Sequence, residues 1–60
     1  MNKVVKILIE RDNMSEEDAL ALVKETRDEI MMLENIFEAD DVLMEYLGLE
    51  PDYMFDVLNI

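Results

Sequence analysis

Between residues 15 and 38, apolar positions recur at intervals of three and four. Ala19, Leu22, Val23, Ile30, Leu33 and Phe37, with Thr26 among them, lie on one face of a helix. The spacing predicts one long central helix over residues 15–38, roughly 35 Å at 1.5 Å per residue. Its start is marked by Ser15-Glu16-Glu17-Asp18. A serine hydroxyl accepts from an otherwise orphaned backbone N–H, and acids in the first turn suit the positive end of the helix dipole. Asp18 stands where a capping box prefers Glu or Gln.

That face leaves apolar residues over. Leu20 and Met31 fall on one flank beside Lys24 and Arg27, and Met32 and Ile36 pair on the other. A helix that is apolar on several sides is buried on several sides. Either neighbouring helices of the same chain cover these flanks, or a second chain does.

The first segment carries Val4, Val5, Ile7, Leu8 and Ile9. Its β-branched alternation (Val5, Ile7, Ile9) favours a strand, but no partner strand follows. As a helix it presents Val4, Ile7, Leu8 and Arg11, flanked by Val5 and Ile9, and helix is the expectation, with Asp12-Asn13-Met14 as the turn. The strand alternative would place a ribbon before two helices, as in ribbon-helix-helix regulators. Such a ribbon needs outward bases, and only Lys3 and Lys6 are at hand.

After Phe37 the period breaks at residues 38–41. Asp40 or Asp41 is the expected cap of a shorter helix carrying Val42, Leu43, Tyr46 and Leu47, unless the break is only a bend. Gly48 ends that helix, since glycine adopts the left-handed conformation cheaply, and Leu49 folds back on the last turn. Pro51 opens a final helix, with Leu49 and Met54 as a hydrophobic staple. Met54, Phe55, Val57 and Leu58 form its apolar segment, and Ile60 is expected to dock.

Composition sharpens the picture. With 60 residues, 52% of them hydrophobic, the chain is one small globular domain near the edge of independent stability. Small domains are stapled by disulfides, metals or oligomerisation. There is no Cys and no His, so thiolate and imidazole chemistry is excluded and oligomerisation remains. Val4 to Ile9 is too short for a signal segment and is interrupted by Lys6, which makes the cytoplasm the default setting. No apolar run approaches a membrane span.

The net charge of −11 is unevenly spread: residues 1–27 hold six acids and five bases, residues 28–60 ten acids and no base. This argues against direct nucleic-acid binding, which needs Lys and Arg on phosphates. Glu38, Asp40, Asp41 and Glu45 are oxygen donors of the kind hard cations take, but the spacing lacks an EF-hand loop, and a solvated acidic junction is the expectation. Glu34 and Glu38 could exchange protons, yet no nucleophile or phosphate loop accompanies them. No catalytic residue, cofactor or metal ligand is assigned. The methionines read as core filling or as an adaptable binding surface. Tyr46 and Tyr53 flank Gly48 either as packed rings or as an aromatic–acidic epitope.

The stretches from Leu8 to Ala19 and from Leu47 to Tyr53 (Leu47-Gly48-Leu49-Glu50-Pro51-Asp52-Tyr53) resemble small acidic proteins of bacterial phages and mobile elements. The resemblance implies a bacterial or phage cytoplasmic setting and no activity. The expectation from the chain as a whole is an all-α domain of three to four helices, homodimeric through Leu20, Met31, Met32 and Ile36. An acidic face of Glu34, Glu38, Asp40, Asp41, Glu45, Glu50, Asp52 and Asp56 would meet a basic partner surface. The expected role is protein–protein interaction without catalysis; the alternative is a DNA mimic whose carboxylates imitate phosphates.

Overall fold

The computed structural model describes all 60 residues, and every regular element in it is helical. Helices α1 (Lys3–Asp12), α2 (Glu16–Met31), α3 (Ala39–Leu47) and α4 (Met54–Leu58) are joined by short connections. Two of these, Ile36–Glu38 and Pro51–Tyr53, coil as 3-10 turns. The helical reading of the first segment holds, which removes the ribbon that a ribbon-helix-helix regulator requires.

Helix α1 starts where Asn2, in extended conformation, accepts from the N–H groups of Val4 (2.8 Å) and Val5 (3.4 Å). The Asn2 amide also donates to the Asp56 carbonyl at 2.7 Å, tying the start of α1 to α4. The helix ends at Asn13, whose left-handed backbone (φ 56°) closes onto the Leu8 carbonyl. Packed against both α2 and α4, α1 buries Val5 as fully as Val4 and Leu8, while Ile7 is half-buried. The core edge has thus rotated from Ile7 toward Val5.

Ser15 caps α2 as its sequence foretells, its hydroxyl oxygen accepting from the Asp18 N–H at 3.1 Å. Ala19, Val23, Thr26 and Ile30 form its buried stripe. The Thr26 hydroxyl donates to the Leu22 carbonyl at 2.8 Å, so the one buried polar side chain is satisfied.

The single long helix is not found. α2 stops at Met31 after 16 residues, about 24 Å; a 35 Å rod would overrun the 31 Å long axis of the molecule. Two causes act together. Asp28 and Glu29 stand in the last turns with no base to answer the negative end of the helix. Four residues on, Asn35 turns extended (φ −111°, ψ 109°) and its side-chain oxygen accepts from the Phe37 N–H at 3.0 Å. An Asn that bonds its own backbone two residues ahead competes with helix continuation. Phe37, placed on the core face by the long-helix register, is exposed instead.

The 3-10 turn runs straight into α3, so neither Asp40 nor Asp41 is the cap. Glu38 occupies that position in helical conformation without a side-chain bond, and the two aspartates lie in the first turn, where the helix dipole favours them. Ala39, Leu43 and Leu47 form the buried face of α3.

Gly48 ends α3 at φ 64°, its N–H bonded to Met44 O at 2.8 Å, and Leu49 is buried behind it. A β-carbon at Gly48 would meet only the Arg11 guanidinium, at 3.6 Å, which is ordinary contact. Gly48→Ala is therefore expected to cost only the left-handed strain, about 1 kcal/mol. Denaturant unfolding checks this, and Gly48→Asn, tolerant of that conformation, should lose less.

Pro51 opens a 3-10 turn instead of an α-helix, and α4 begins only at Met54. Val57 is its buried residue, and Ile60 docks against the core, its main-chain oxygen accepting from Arg27 Nη1 at 2.7 Å.

Candidate interaction surface

The break that shortens α2 gathers large apolar side chains at the α2–α3 corner. Met31 and Met32 close α2, and Ile36 and Phe37 form the 3-10 turn. Their exposures are 70%, 78%, 65% and 86%. Only three residues separate Met32 from Ile36, so their Cα atoms cannot lie more than about 14 Å apart. Met44, also exposed, lies on α3 seven residues after Phe37, with Asp40 and Asp41 between them in the chain. Two adjacent methionines beside Ile and Phe make an adaptable apolar surface.

The charge around this corner is of one sign. From residue 28 to residue 41 there are six acids and no base, and all six are exposed. The nearest base in the chain, Arg27, is engaged: it donates to the Asp28 carboxylate (3.0 and 3.2 Å) and to Ile60 O. Further along α3, the Tyr46 hydroxyl is pushed above the ordinary tyrosine range by the negative charge of Glu29, then by burial, then by Glu25 and Glu45. The acids of α2 and α3 therefore converge on that ring.

A raised phenol leaves Tyr46 easier to keep neutral in the folded state than in the unfolded chain. Its contribution is complete below about pH 10 and is lost as pH rises through the raised folded value. Tyr46→Phe should flatten the alkaline limb of the melting-temperature profile, and the phenolate absorbance that this substitution removes should rise above the ordinary tyrosine range. A rise at the ordinary value would remove the acidic convergence.

The residues singled out in the sequence do not all meet. Met31, Met32 and Ile36 are exposed within six residues at the corner, whereas Leu20 is half-buried against the core. The flank between Leu20 and Met31 includes Arg27, which holds Ile60, so the end of the chain lies against that side of α2. Glu34, Glu38, Asp40, Asp41, Glu45, Glu50 and Asp52 are exposed; Asp56 is half-buried, on the helix that Asn2 ties to α1. Tyr46 is exposed and Tyr53 half-buried against the core, dividing the two readings of that pair. Phe37, which periodicity puts on the core face, and Phe55, placed in the final apolar segment, are exposed, as is Met44; the Asn at position 35 was the available signal for Phe37. The surface opens no pocket, and no three acids converge closely enough to hold a cation. No helix is long and apolar enough to cross a membrane.

Comparison with protein-family models, with curated proteins and with solved structures finds no match to this chain.

Proposed function

We propose that this chain is a non-enzymatic interaction module that seats the α2–α3 corner on another protein surface. One observation carries the reading: Met31, Met32, Ile36 and Phe37 are all exposed within seven consecutive residues of a chain whose core is small. Large apolar side chains exposed this close together in the chain favour a partner, and aromatic residues and Met are enriched at interfaces. A second copy and an unlike protein both meet the apolar requirement.

The test is capture from the native host with two baits, the wild-type chain and Ile36→Ser/Phe37→Ser. A protein held by the first and released by the second supports the reading. Identical captures from both baits remove it.

A second reading, DNA mimicry, draws on the ten acids and no base of residues 28–60. It separates from the first by what a captured partner does with DNA. A mimic competes with DNA for one site and loses its hold as salt rises, and its binding does not depend on Ile36 or Phe37.

A further inference from the structure

We propose that the occupant of the α2–α3 corner is an unlike protein with an apolar groove rimmed by Lys and Arg, and not a second copy of this chain. The inference rests on the corner being the interaction face and goes on to name what that face accepts.

Size brings the acids into the interface. A standard interface covers about 800 Å² per partner, roughly a fifth of the 4234 Å² surface here. Four apolar side chains cannot fill that area alone, so the covered surface includes the acidic residues that alternate with them in the chain. Asp28 and Glu29 precede Met31, Glu34 lies between Met32 and Ile36, and Glu38 follows Phe37. Asp28 is paired with Arg27, whereas Glu29, Glu34 and Glu38 make no ion pair.

The sign of that charge discriminates among occupants. A second copy would bring the same acids against themselves, with only Asp28 of the six paired to a base, and charges act over roughly 8 Å at physiological salt. Like charges facing one another across an interface select against a partner. An anionic lipid surface and a nucleic acid are repelled for the same reason. A groove with a basic rim is attracted, and its apolar floor has Phe37, Ile36 and the two methionines to receive. The flexible methionine side chains let the corner adapt to a groove whose shape is not self-complementary. An amphipathic basic helix satisfies the same chemistry in its simplest form.

The experiment uses the full chain and three synthetic helical peptides: leucine on one face with lysine on the other, serine with lysine at equal charge, and leucine with glutamate. The Leu/Lys peptide should bind, more weakly as salt rises. The Ser/Lys peptide should bind at least about tenfold more weakly, and the Leu/Glu peptide not at all. Ile36→Ser/Phe37→Ser should lose about tenfold or more in affinity for the Leu/Lys peptide, with its melting temperature near that of the wild type because both side chains are exposed. Met32→Ser carries the test if the double variant fails to fold. Equal binding of the two lysine peptides would overturn the proposal, as would binding to phosphatidylserine vesicles. A wild-type dimer in sedimentation that Ile36→Ser/Phe37→Ser dissociates would overturn it in favour of a second copy, while leaving the corner as the interaction face. Peptide binding that ignores the corner substitutions, in a chain that sediments as a monomer, would overturn both.

Discussion

Replacing Leu43 with alanine is expected to lower the unfolding free energy by about 3 kcal/mol, the middle of the range for emptying a fully buried leucine site. Leu43 has no exposed surface and lies at the centre of the Ala39, Leu43, Leu47 stripe by which α3 reaches the core. A 60-residue domain has about 3–9 kcal/mol in all, so the variant loses a third or more of its stability. Its melting temperature should fall on the order of 15 °C. The neighbouring Met44 is exposed, and Met44→Ala should stay within about 0.5 kcal/mol of wild type. Thermal and denaturant unfolding followed by circular dichroism checks the pair. Equal losses at 43 and 44 would mean that α3 is rotated from the register described.

The contrast between positions 43 and 44 shows what the amino-acid sequence makes legible. Within a continuous helix the spacing names much of the buried face, Ala19, Val23, Thr26 and Ile30 on α2 and Leu43 and Leu47 on α3, but it also places there Ile7, which is half-buried, and Tyr46, which is exposed. Signals that act locally are equally readable, because their physics lies within a few residues; the Ser15 cap and the left-handed Gly48 are such cases. Periodicity fails where a helix ends without glycine or proline. α2 ends at Met31, where acids stand at the helix end and an Asn side chain four residues on bonds its own backbone. Once the period is carried across that break, Phe37 is assigned to the core by a register that no longer applies. The same break creates the corner, so the error and the candidate site have one cause. Contacts between distant segments were not legible at all. Asn2 with Asp56 and Arg27 with Ile60 join residues more than thirty positions apart, and no spacing rule reaches that far.

Those distant contacts support the second large expected effect. Each of the two arginines is followed directly by an aspartate, Arg11-Asp12 and Arg27-Asp28, and each pair behaves alike. The carboxylate braces one side of the guanidinium, at 2.8 Å from both Nε and Nη2 in Arg11, and the remaining N–H groups reach across to the acidic half. Arg11 donates to the carbonyls of Leu47 and Gly48, at the end of α3, while Arg27 donates to Ile60 beyond α4. A cation at the carbonyl end of a helix is favoured by the dipole and satisfies oxygens that the helix leaves unpaired. The acidic half has no base of its own, so these two residues supply the positive charge that closes its helices.

Arg11 is largely solvated, which limits its share to about 1 kcal/mol; Arg27, better covered, is worth about 1–2. The two act on different helix ends and share no partner, so the losses should add to about 2–3 kcal/mol in the double alanine variant. Lysine should restore less than half at Arg11, because one ammonium group cannot bond Asp12 and both carbonyls in the fixed geometry of a guanidinium. Acid should weaken the same clamp. Arg11 holds the Asp12 carboxyl below the ordinary aspartate range, chiefly by the hydrogen bond between them. That contribution is present above about pH 4 and is lost as pH falls through the lowered folded value.

The clamp and the corner lie at opposite ends of α3, nine residues apart along the chain from Ala39 to Gly48. Arg11→Ala should therefore reduce partner binding only as far as it reduces the folded fraction. Below the melting range its affinity should equal the wild type's, whereas Ile36→Ser/Phe37→Ser, folded as well as wild type, should bind about tenfold or more weakly. A reversal of that pattern would move the interaction face from the α2–α3 corner to the far end of α3.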